Sequence, residues 1–131
     1  MSAKYSKKIL IVDDEEDILI SLGNILKRAN FEVISARSGD EAIKSAKEKR
    51  PDLIIMDVLM PGIDGGGAAG VLAEDPDTAG IPVVFLTGIL TKEEELAVKE
   101  EGGRKAGKRF VMAKPVSKEE LLEMINKIFP G

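Results

Sequence analysis

The chain has 131 residues, 44% hydrophobic and 32% charged, with a net charge of -4 at pH 7. That is the composition of one soluble globular domain, and it offers no basic face for direct nucleic-acid binding. With no cysteine and no histidine, disulfides, thiolate or imidazole metal sites and histidine-assisted triads are excluded, leaving carboxylates, lysine, hydroxyls and hard oxygen-bound metals.

The start is polar, and only Ile9 to Val12 are apolar before a run of acids. That is too short for a signal peptide or a membrane span, so a cytoplasmic protein with no membrane contact is expected. Lys7 to Val12 reads as a short buried strand, ended by Asp13-Asp14-Glu15-Glu16-Asp17. Ile18, Leu22, Ile25 and Leu26 then recur at helical spacing, and Ala29-Asn30 closes that helix. Phe31 to Ala36 is the second strand. Ser38-Gly39 opens a second helix with a stripe of Ala42, Ile43 and Ala46, which Pro51 stops.

Leu53-Ile-Ile-Met56 is an uninterrupted apolar run, as in a strand buried on both faces, and it stops abruptly at Asp57. Pro61-Gly62 imposes a turn, and a helix is expected from about Gly65. Its four glycines (Gly65, Gly66, Gly67 and Gly70) each cost about 1 kcal/mol relative to alanine, making it the least secure helix. Ile81 to Leu86 is the fourth strand, ending in Thr87-Gly88. Thr91 to Glu101 reads as a fourth helix with Thr91 as N-cap, and Gly102 to Arg109 as a glycine-rich basic loop. Phe110 to Ala113 is the fifth strand, followed by Lys114-Pro115. Ser117-Lys-Glu-Glu120 matches a capping box opening a last helix with a face of Leu121, Leu122, Ile125 and Ile128.

Strand and helix alternate five times with short connections, which predicts an α/β fold: a parallel sheet covered by helices on both faces. One domain over residues 1–131 is expected, with its core at about 7–129 and no output domain in the chain. The carboxyl ends of parallel strands share one edge, where such folds bind ligands. There Asp13 and Asp14 end the first strand, Asp57 the third, Thr87 the fourth and Lys114 the fifth. Clustered carboxylates repel one another, and Mg²⁺ suits an oxygen-only site that relieves this. A carboxylate beside such a cation can attack a phosphoryl group and form an acyl phosphate, whose remaining oxygens a lysine and a hydroxyl can bind. Each piece also has a plainer reading: the acids as a helix cap, Thr87 as a strand-end hydroxyl, Lys114-Pro115 as loop.

Together, Ile9-Leu-Ile-Val-Asp13-Asp14-Glu15, Ile54-Ile-Met-Asp57-Val-Leu-Met-Pro61-Gly62-Ile-Asp-Gly65, Phe85-Leu-Thr87 and Ala113-Lys114-Pro115 are specific. The chain resembles the receiver (response-regulator) domains of two-component signalling, chemotaxis receivers among them, over nearly its whole length. The resemblance implies a flavodoxin-like doubly wound sheet of five parallel strands in the order 2-1-3-4-5. It implies Asp57 as phosphoacceptor, Mg²⁺ held by Asp13, Asp14, Asp57 and the backbone carbonyl of Leu59, and phosphoryl oxygens bound by Thr87 and Lys114, with a cis Lys114-Pro115 bond. The implied partners are a sensor histidine kinase or histidine phosphotransfer protein, which would supply the phosphoryl group, and a downstream output protein or domain. Phosphorylation-dependent dimerisation is left open.

Two other functions compete with this signalling role. A Mg²⁺-dependent aspartyl phosphatase of the haloacid-dehalogenase type would place an Asp where this chain has Leu59. A receiver-like domain that is never phosphorylated would commonly lose one of the acids or the lysine, and here all are present. The implied protein is therefore not an enzyme beyond its own phosphoryl transfer and dephosphorylation.

Three features depart from the family pattern. Its usual strand-five aromatic position is Val111, and the aromatic here is Phe110, which strand alternation turns to the other face. The Thr87–Lys114 segment is long and glycine-rich, and glycines crowd the third helix. Leu59 and Ile89, each two residues beyond a site residue, offer no polar group to orient water, so slow self-dephosphorylation is expected.

Overall fold

In a computed structural model of the chain, described for residues 7–57, 65–87, 109–113 and 117–129, five short strands form one parallel sheet. The elements run β1 (Lys8–Val12), α1 (Glu16–Arg28), β2 (Glu32–Ala36), α2 (Gly39–Lys49), β3 (Leu53–Asp57), α3 (Gly65–Glu74), β4 (Val83–Thr87), β5 (Arg109–Ala113) and α4 (Lys118–Ile128). The strand order is β2-β1-β3-β4-β5, with every pairing parallel. The expected doubly wound order is therefore the observed one.

Side chains that alternate along the strands divide the core into two layers. Leu10, Val12, Ile54, Met56, Val83 and Phe85 point to the face covered by α2 and α3, where Ala42, Ala46, Ala68 and Leu72 pack. Ile9, Ile11, Leu53, Ile55, Val84 and Leu86 point to the other, against Leu19, Leu22 and Leu26 of α1 and Leu121 and Ile125 of α4. Every residue of β3 is buried, as the unbroken apolar run requires of a central strand. Phe110 packs on the α1–α4 side.

The helix ends follow local chemistry. Asn30, at φ 71°, closes α1: its N–H donates to the carbonyl of Lys27 and that of Phe31 to Leu26. This is a Schellman closure with Asn in the left-handed position glycine usually takes. It uses the Phe31 N–H, so β2 starts at Glu32. Ser38 caps α2 by accepting from the Glu41 N–H at 3.1 Å. Ser117 and Glu120 form both halves of the capping box on α4. β4 begins at Val83 rather than Ile81, because the Ile81 N–H is turned to the Thr78 carbonyl and Pro82 has no N–H to give. In α1, Leu19 and Gly23 lie deeper than Ile18 and Ile25, which are only partly buried. The predicted helix at 91–101 and residues 102–108 of the basic loop lie outside the described residues; Arg109, expected to end that loop, instead opens β5.

Candidate metal and phosphoryl site

Strand register alone brings two acids together. Val12 lies in register with Met56, so Asp13 and Asp57, the next residues on neighbouring strands, leave the sheet side by side. Asp57 is in register with Leu86, and Thr87 with Ala113, which extends the same edge across β4 and β5. Lys114, next after Ala113, lies outside the described residues, as do Leu59, Ile89 and Pro115; of Thr87 only the backbone is described.

Asp13 is fixed at both ends. Its N–H donates to the Ala36 carbonyl at 3.1 Å, continuing the β1–β2 ladder one step past the strand. One carboxylate oxygen accepts the Glu15 N–H at 2.9 Å, a local turn that orients the side chain. Glu15 is the N-cap of α1 and makes no side-chain cap hydrogen bond, while Glu16 and Asp17 sit in the first turn. The acidic run is thus divided: Glu16 and Asp17 favour the helix dipole, whereas Asp13 and Asp14 precede the helix and turn toward Asp57. The plainer reading of those two acids as caps does not hold.

One carboxylate oxygen each from Asp13, Asp14 and Asp57 lies within 4.8 Å of the others. Asp13 is 1% exposed and Asp57 7%, while Asp14 is half-buried. Two ionised carboxylates at 4.8 Å repel by about 3 kcal/mol at an effective dielectric constant of about 20. Three carboxylates gathered this closely, two of them buried, form a site that a cation would stabilise. The donors are all carboxylate oxygens, a set that fits a hard divalent metal.

A carboxylate trio at the carboxyl edge of a 2-1-3-4-5 sheet defines a receiver-type phosphoacceptor domain. The chain belongs to the response regulator receiver domain family, whose model matches residues 9–126. It is 35% identical to the protein PilH of Pseudomonas aeruginosa over 95% of this chain and 98% of PilH. It is 37% identical to the alkaline phosphatase synthesis transcriptional regulatory protein PhoP of Bacillus subtilis, over 94% of this chain but only 48% of that regulator. Among solved structures, the chemotaxis protein CheY4 of Vibrio cholerae superposes with a TM-score of 0.80 at 29% identity, covering 94% of this chain and 98% of CheY4.

The chain is accordingly a phosphoacceptor receiver domain of two-component or phosphorelay signalling. Receiver domains interact with histidine kinases or phosphotransfer proteins and with output targets. No helix among the described residues is long and apolar enough to cross a membrane.

Sequence reading did not single out the Ala36 carbonyl or the Glu15 N–H, which together hold Asp13. The Asp-x-Glu spacing was a signal for the second, since Asp side chains commonly accept from the N–H two residues on. Only the sheet register reveals the first.

Proposed function

We propose that Asp57 is the residue phosphorylated, and that Asp13, Asp14, Asp57 and the Leu59 backbone carbonyl hold Mg²⁺. The observation that carries this reading is the convergence of the three carboxylates within 4.8 Å. When bound, Mg²⁺ offsets charge on the phosphoryl oxygens. An Asp57 carboxylate oxygen attacks phosphorus in a phosphohistidine of the donor protein. The new O–P bond forms as the P–N bond breaks, giving an acyl phosphate and returning the imidazole to the donor. The Thr87 hydroxyl and the Lys114 ammonium then bind phosphoryl oxygens.

The donor is a sensor histidine kinase or a histidine phosphotransfer protein, since this chain has no histidine of its own. Two conformations separated by a few kcal/mol are then rebalanced, and the surface contributed by residues 87–110 meets a downstream output protein or domain in the cytoplasm. The chain turns over no external substrate.

Intact mass after incubation with acetyl phosphate tests this directly. A phosphoryl-sized gain that needs Mg²⁺ and is lost in Asp57→Asn is expected. No gain in folded protein, or an undiminished gain in the variant, would overturn the assignment. Turnover of an added phosphomonoester would instead point to a phosphatase. Apolar Leu59 and Ile89 give the phosphorylated form a long lifetime, and exchanging both for polar residues should speed loss of the mass gain.

A further inference from the structure

We infer that α1 packs antiparallel against α1 of a second copy of this chain. Glu16, Ile20, Gly23 and Lys27 follow one another at spacings of four, three and four residues, which places them on one stripe of the helix. The same four residues, with Val33 and the oppositely charged Arg37 and Glu41 among others, line an open groove of about 380 Å³ between α1 and the edge strand β2. Ile20 is 55% exposed, the larger exposure of the two exposed large apolar side chains among the described residues. Gly23 keeps the groove floor at backbone level beside Val33.

The stripe is its own complement. Run antiparallel about a two-fold axis, Glu16 meets Lys27 of the other copy at both ends, and each Ile20 enters the hollow at the other copy's Gly23. An isologous contact requires this of one surface patch. Glu16 and Lys27 are exposed and take part in no ion pair among the described residues. Arg37 and Glu41 of the lining carry opposite charges, which leaves Glu16 and Lys27 to set the sign of the stripe: a ligand of a single charge would meet like charge along it, whereas a second copy meets opposite charge at both ends. That contrast selects the occupant. A contact built on one helix is small beside the roughly 1,200 Å² of a standard interface, so association is weak. The contact is independent of which residue is phosphorylated.

Sedimentation equilibrium on the unphosphorylated full chain tests it. The wild type should shift toward dimer as its concentration rises to about 1 mM. Glu16→Lys and Lys27→Glu each place like charges at both ends and should weaken association roughly tenfold or more. Mixed in equal amounts, the two variants should associate again. The stripe of the first is then basic at both ends and that of the second acidic at both, so opposite charges meet throughout. Ile20→Ser, at an exposed position, should weaken association without unfolding the chain and serves if either charge variant fails to fold. A wild type that stays monomeric, an Ile20→Ser variant that associates as well as the wild type, or a mixture no tighter than its components would overturn the inference.

Discussion

Gly70→Ala should stabilise the domain. Gly70 lies inside α3, and a β-carbon added there meets nothing within 4 Å. The gain is then the helix propensity difference alone, about 1 kcal/mol. For 131 residues, an unfolding entropy of about 2.1 cal/mol/K per residue converts this to a rise in Tm of roughly 3–4 °C. Gly23→Ala supplies a contrast. Its β-carbon would lie 3.8 Å from Val33 Cγ1 and 3.9 Å from Ile11 Cδ1, ordinary contact distances at a buried position. A buried methyl adds about 0.8 kcal/mol to the propensity term, giving about 1.5–2 kcal/mol in all. Calorimetry on dilute protein, with urea titration as a second measure, reads both. The difference between the two variants isolates the packing term. An unchanged or lower Tm for Gly70→Ala would refute the reasoning, since nothing in the structure opposes that methyl group. Phosphoryl uptake from acetyl phosphate should be unaltered in Gly70→Ala.

Four further outcomes can be checked by the same unfolding measurements. Thr78→Val should cost about 1–3 kcal/mol, because the buried Thr78 hydroxyl donates to the Leu72 carbonyl at 2.6 Å and its loss leaves that acceptor short. Thr78→Ser should recover most of the loss. Ser117→Ala removes half of the capping box and should cost about 0.5–2 kcal/mol, seen as a lower urea midpoint at constant slope. Arg50 holds a left-handed backbone at φ 47° and pairs with Asp77 only at 3.8 Å on the exposed surface. Arg50→Gly should therefore raise stability by about 0.5–1 kcal/mol. The Asp77 N–H donating to the Asp75 carboxylate at 2.9 Å, with Lys47 at 3.4 Å, holds the Asp75 carboxyl below its ordinary value. Its stabilisation is complete above the unfolded-state carboxylate value of about 4 and is lost as pH falls through the lower folded-state value. Asp75→Asn should flatten that part of the acid limb of a stability–pH curve.

The parts of the fold read from sequence are those set by neighbouring residues. The apolar run Leu53–Met56 marks a central strand because both its faces are covered. Ser117-Lys-Glu-Glu120 marks a helix start because both capping bonds are made within four residues. How deeply each residue of a face is buried is decided beyond the local segment. Ile18 and Ile25 fit the helical period of α1 as well as Leu19 and Gly23 do. Only the position of α1 over β1 and β2 buries the latter pair more fully, while Ile18 and Ile25 pack partly buried against the same core.

The candidate site divides in the same way. By itself, the sequence determined which residue types were available: acids after the first and third apolar runs, a hydroxyl after the fourth, a lysine after the fifth, and no histidine or cysteine. It also marked those positions as strand ends, because an apolar run that meets a charge stops being buried. Tertiary structure decided that Asp13, Asp14 and Asp57 meet within 4.8 Å, that the Ala36 carbonyl holds the Asp13 N–H, and that a groove runs beside β2. These follow from register between strands 24 and 44 residues apart and from helix placement over the sheet. Convergence is a property of pairing across the sheet, and no local pattern along one strand carries it.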